Sequence, residues 1–125
     1  MRANWVPMSD EAPEELRLKE HGRLLEISFP NGVHYALTAE YLRVQSPSAE
    51  VKGHGPGQEV TVAGKRNVRI LRLEPVGHYA VRIVFDDRHD TGLYTWSYLA
   101  TLGREGQQRW DSYLAKLAEE GRTRG

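Results

Sequence analysis

Three carboxylates stand beside an imidazole in "FDDRHDTG", residues 85–92: Asp86, Asp87, His89 and Asp90. Oxygen donors next to a ring nitrogen are the donor set of a divalent-cation site. The same residues also suit a solvated hairpin tip, because Asp side chains accept hydrogen bonds from nearby backbone amides. A second stretch, "KGHGPGQ" at 52–58, alternates Gly53, Gly55 and Gly57 with His54 and Pro56. Glycines let backbone amides approach a ligand or a partner closely. With neither present, the stretch is a tight surface crossover. The candidate binding residues are therefore His54, Gly55, Gly57, His89 and Asp90.

Other chemistries find no seed. No two histidines are spaced to share one helix face, and no His-x-Asp or His-x-Glu occurs. Gly64-Lys65 is followed by Arg66, so it is no phosphate-binding loop, and no Gly-x-Ser-x-Gly elbow exists. The chain of 125 residues has no cysteine. This excludes a disulfide framework, a thiolate zinc site and a cysteine nucleophile. Basic and acidic residues number 17 each. A zero balance argues against nucleic-acid or anionic-membrane partners, which call for a basic excess. A local basic run, Lys65, Arg66, Arg69 and Arg72, is either the solvated side of a strand pair or a face for an acidic protein. No apolar run is long enough to span a bilayer and no signal-peptide core follows Met1, so the expected compartment is the cytoplasm.

The elements that must position these residues read as one α+β domain, an antiparallel sheet covered by short helices. Residues 1–13 form an arm whose sticky points are Trp5 and Val6, 14–120 the domain, and 121–125 a tail expected to fray. Leu16 and Leu18, then Leu25, Ile27 and Phe29, then Val33, Tyr35 and Leu37 alternate between turn signals at 21–22 and 30–32. That pattern predicts a three-stranded meander. Thr38 caps a helix over 39–44. A short strand at 59–62, strands at 68–76 and 79–85, a turn at 86–90 and a strand at 91–94 follow. Thr95 caps a second helix, which Gly103 stops. Trp110, Tyr113, Leu114 and Leu117 line one face of a last helix over 105–119. Ile27 and Phe29 match Ile83 and Phe85 at an offset of 56, and "LTAEYL" at 37–42 matches "YTWSYL" at 94–99 at an offset of 57. Either an internal strand–helix duplication or two similar joints with one cap preference accounts for the echo.

The phrases "EYLRVQSPSAEVKGHGPGQ" and "EPVGHYAVRIVFDDRHDTGLYTWSYLATLG" resemble the gamma-butyrobetaine hydroxylase-like N-terminal domain family, over roughly residues 14 to 103. Small bacterial members of that family stand alone and have no known function. Elsewhere the domain precedes the oxygenase domain of gamma-butyrobetaine and trimethyllysine hydroxylases, or is joined to P-loop ATPases that carry iron–sulfur clusters. The hydroxylases hold a structural zinc with a Cys-Pro-Cys-x-x-Cys loop and one later histidine. By the resemblance, Ser46, Ser48 and Val51 stand where those cysteines would be, and His89 where the histidine would be. Serine is a poor zinc ligand and valine is none. The expectation is no metal and no other cofactor. A hydrogen bond from Ser46 or Ser48 to His89 takes the place of the staple.

Three functions stay open. The leading one is a non-catalytic interaction or accessory domain with a protein partner, for which the family's fusions imply an iron–sulfur carrier ATPase. The second is a metal- or small-ligand-binding domain using His54, His89 and Asp90. The third is a small enzyme of unnamed chemistry.

Overall fold

The computed structural model describes residues 12–48 and 61–125. Its first unit is a meander of β1 (Glu15–Lys19), β2 (Leu24–Ser28) and β3 (His34–Thr38), followed by α1 (Ala39–Val44). The second is β4 (Ile70–Val76), β5 (Ala80–Phe85) and β6 (Leu93–Thr95), followed by α2 (Trp96–Arg104). A last helix, α3 (Gly106–Glu119), completes the chain. All strand pairs are antiparallel, and the two sheets have the orders β1-β2-β3 and β4-β5-β6. The fold is α+β, as expected from the alternation.

The local chemistry is that of the sequence. Gly32 turns the β2–β3 hairpin at φ +86°, with its amide donating to the Phe29 carbonyl, while Asn31 Oδ1 accepts from the Val33 amide. Leu25 and Ile27 of β2 are fully buried and oppose Leu37 and Tyr35 of β3. Val81, Ile83 and Phe85 of β5 supply the facing wall, and Leu42, Leu99 and Leu102 close the core from the helices. Trp96 packs half-buried against this cluster and donates its indole N–H to the His78 carbonyl at 2.8 Å.

The echo in the sequence is an echo in geometry. Thr38 and Thr95 sit at φ/ψ of −74°/153° and −68°/159°, and each hydroxyl accepts at 3.1 Å, from the amides of Tyr41 and Tyr98. Leu24 pairs with Thr38 as Ala80 pairs with Thr95. The Phe29 amide donates to Val33 as the Phe85 amide donates to His89. The positive φ of Gly32 recurs at Arg88, at +73°. The two units then exchange matching contacts. The Tyr41 hydroxyl donates to the Leu102 carbonyl at 2.8 Å, and the Tyr98 hydroxyl donates to the Gln45 carbonyl at 2.5 Å. Residues 41 and 98, and 45 and 102, are equivalent at the same offset, so each unit grips the other in the same way. Contacts of i with j and j with i are the signature of a two-fold relation.

Four expectations need correction. Gly103 does not stop α2, which runs to Arg104. It lies under Tyr35, and a Cβ there would come within 2.4 Å of the ring. Leu114 is 38% exposed, because α3 docks through Trp110, Tyr113 and Leu117 alone. Thr61 and Val62 form no strand, since their carbonyls accept from the Arg122 and Tyr113 side chains. The tail does not fray. The amides of Gly64 and Arg66 donate to the carbonyls of Thr123 and Arg124, and the Arg124 guanidinium lies over Trp110 and makes two bonds, at 2.8 and 2.9 Å, to the buried carboxylate of Glu40. A buried charge demands a partner, and the nearest cation is in the tail. Trp5 and Val6 lie outside the described residues.

Candidate functional site

The turn after β5 and the end of α1 meet in a buried polar cluster. The chain leaves α1 at Gln45, and Ser46 turns inward, its amide donating to the Arg43 carbonyl. Ser46 Oγ and His89 Nε2 share a hydrogen bond of 2.8 Å, across 43 residues of sequence. The same hydroxyl oxygen accepts from the Ser48 amide at 3.2 Å, and Ser48 Oγ meets Thr91 Oγ1 at 2.7 Å. Ser46, Ser48 and His89 are all buried. Gly92 makes room for them: a Cβ there would stand 2.6 Å from Ser46 Oγ. Beside them the Tyr94 hydroxyl donates to the Leu42 carbonyl, and burial pushes its pKa up.

A serine hydroxyl against an imidazole is the contact of a nucleophile and its base. Here both are buried, at 1% and 4% exposure, and the hydroxyl is already held by the Ser48 amide. The geometry is that of a tie between the two units. It joins three of the four positions that the resemblance equates with zinc ligands, through hydrogen bonds. Asp90 is not part of it: it is exposed. Among the described residues no three His, Cys, Asp or Glu side chains converge as metal ligands. Val51, His54, Gly55 and Gly57 lie outside the described residues.

A charged cluster adjoins this tie. Asp87 Oδ2 accepts from Arg43 Nε at 2.8 Å and from Lys65 Nζ at 2.6 Å, while Oδ1 accepts from the His89 amide at 3.1 Å. Burial alone would raise the carboxyl's pKa, but Lys65, Arg43 and the His89 amide overcome it and hold the group below the usual range. Arg43 Nη1 is buried without a hydrogen-bond partner. Arg43 and Thr91 were not among the candidates read from the sequence, and Lys65 was read only as part of the basic run. Their partners are distant in the chain, and the signal that 43–48 meets 86–92 was the family resemblance that sets Ser46 and Ser48 beside His89. The basic run is partly neutralised in the same way: Arg69 lies 3.6 Å from Asp86 and Arg72 2.7 Å from Glu74. Lys65, Arg66, Asn67 and Asp86 also border a shallow recess of about 210 Å³ of mixed charge. No described helix is long and apolar enough to cross a membrane.

Comparison with known proteins agrees with this architecture. Two proteins with NMR solution structures superpose with TM-scores of 0.79 each. One is 44% identical, over 91% of this chain and 90% of its own. The other is 48% identical, over 97% and 91%. The crystal structure of a protein of unknown function of the DUF971 family, from Acidithiobacillus ferrooxidans ATCC 23270, is 37% identical over 78% of this chain and 97% of its own, with a TM-score of 0.63. No protein with a curated description matches. The model of the family described as gamma-butyrobetaine hydroxylase-like, N-terminal, matches residues 16–100, a span that runs from β1 into α2 and includes the tie between the units, and the chain belongs to that family.

Proposed function

We propose that this chain is a non-catalytic interaction module that docks on a larger protein. The observation that carries this reading is the role of His89. Among the described residues it is the one buried histidine, and it is bonded to Ser46 as a strut between the two units. The most chemistry-capable pair is thus committed to rigidity, and a rigid scaffold presenting its outer faces is what a docking module requires. The proposed partner class is an iron–sulfur carrier ATPase, by association with the fusions that the family resemblance implies.

The test is gel filtration of the purified chain mixed with an iron–sulfur carrier ATPase from the same cells, together with co-purification on a tagged chain. Stoichiometric co-elution of the two proteins is the expected result. A chain that elutes alone in every mixture, or that turns over a small substrate unaided, overturns the reading.

A further inference from the structure

The two-fold relation between the units supplies an internal control, because equivalent sheet faces answer to the same folding constraints. On the outer face of the first sheet, Arg17, Glu26 and Ala36 form one row across the three strands. Each cation there has its own acid, Arg17 with Glu15 at 2.8 Å and Lys19 with Glu26 at 3.9 Å, and the third strand contributes only the small Ala36. The equivalent row of the second sheet is Glu74, Arg82 and Leu93. Its charge signs are reversed, and Leu93 replaces the alanine with 40% of its surface exposed. Where the first sheet has Glu15, the second has Arg72. Leu71, the extra residue of the bulge between Ile70 and Arg72, is 57% exposed at the sheet's edge. Folding does not demand these differences, since the first sheet folds without them.

The cations of the second face are also held in a particular way. Arg72 Nε and Arg82 Nε both donate to the one carboxylate of Glu74, at 2.7 and 3.1 Å. The two side chains remain 61% and 46% exposed. Bonding through Nε fixes each guanidinium plane and leaves its Nη edge for an incoming acceptor. That edge is the part of arginine that matches a carboxylate. Holding the side chains beforehand removes part of the entropy cost of binding.

We propose that the outer face of the second sheet, centred on Arg72, Arg82 and Leu93, is the docking surface of this module, and that its occupant is an acidic protein segment bearing apolar side chains. The charge pattern selects that occupant. Glu74 sits between the two arginines, so a continuous polyanion such as RNA or an anionic membrane meets a negative charge at the centre of the patch. A protein can place one carboxylate over each arginine and an apolar group over Leu93. This inference deepens the module reading and rests on it.

The probe is a short capped peptide alternating glutamate and leucine, titrated into the isotope-labelled full chain and followed by backbone amide shifts. The expected result is saturable shifts at Arg72, Glu74, Arg82 and Leu93, with none at Arg17, Glu26 or Ala36. Arg72→Gln with Arg82→Gln, or the peptide with glutamine for glutamate, should weaken binding about tenfold or more at unchanged melting temperature. Leu93→Ala, which installs the residue of the first sheet, should weaken it as well. Equal shifts on both sheets, no saturable shift, or tighter binding of oligouridine or phosphatidylglycerol vesicles overturns the proposal. If the peptide fails while the chain still co-elutes with a protein partner, this face is wrong and the module reading stands. If the chain elutes alone as well, both fall.

Discussion

Replacing Tyr41 and Tyr98 by phenylalanine tests the two-fold relation directly. Each substitution removes one hydroxyl and opens no cavity. Leu102 lies in the last turn of α2 and Gln45 is the C-terminal cap of α1, so both carbonyls belong to the set a helix leaves without an internal donor. Stranding such an acceptor in the interior costs about 1–3 kcal/mol. Tyr41 is buried, which places Tyr41→Phe near ~2 kcal/mol. Tyr98 is only partly buried and water can reach Gln45, so Tyr98→Phe belongs near ~1 kcal/mol. Urea denaturation at neutral pH gives both values. The alkaline limb gives a second readout. Burial pushes the Tyr41 hydroxyl from its ordinary 10.0 to about 12. The unfolded chain therefore releases this proton first, so the contribution is complete below pH 10 and is lost as pH rises towards 12. Tyr94, Tyr98 and Tyr113 are shifted in the same direction by burial, so stability should fall above pH 10 in the parent and less steeply in Tyr41→Phe. Losses below ~0.3 kcal/mol in both variants, with unchanged alkaline slopes, would refute the claim that these hydroxyls hold the units together.

Four further outcomes are expected. Gly103→Ala should destabilise by about 1–2 kcal/mol, because the Tyr35 clash outweighs the gain in helix propensity, and Tyr35→Leu should reverse the sign of its effect in a double-mutant cycle. Arg124→Ala should cost about 1–3 kcal/mol by leaving the Glu40 carboxylate without its partner, and a variant shortened to Gly121 should lose more, because the bonds of Thr123 and Arg122 go with it. Thr38→Ala and Thr95→Ala should each cost ~1 kcal/mol in thermal melts, with closely matched values. Chelator treatment should leave the melting temperature unchanged, and tightly held zinc with loss of structure on chelation would move His89 from strut to ligand.

The parts of the fold legible in the sequence are those set by neighbours in the chain. Alternation of Leu25, Ile27 and Phe29, the Asn31-Gly32 turn and the Thr38 and Thr95 caps are local signals, and each appears where it was read. Three of the four misreadings, all but that of Leu114, share one cause, a partner far away in the chain. Gly103 carries the mark of a helix stop, but the ring that requires it belongs to Tyr35. The tail has the composition of a frayed end, and nothing near it shows that Glu40 is buried and needs Arg124. At the candidate site, Ser46 and His89 were linked through family resemblance. The Arg43–Asp87–Lys65 cluster had no such guide and was missed.

The two-fold relation also bears on how the chain reaches this structure. Among the described residues every strand pairing falls within one unit, between consecutive strands. The bonds that join the units reach across 43 to 61 residues of sequence, from Ser46–His89 to Tyr41–Leu102. Hairpins of this kind close in about 1–10 μs. A lone three-stranded sheet, however, leaves one apolar face in water until its counterpart arrives. This topology predicts that the slow step of folding is the meeting of the two halves, and that the order in which the chain connects them matters little. A circularly permuted chain opened between Ser48 and Thr61, which keeps the Ser46–His89 tie, should reach the same structure through the same collision.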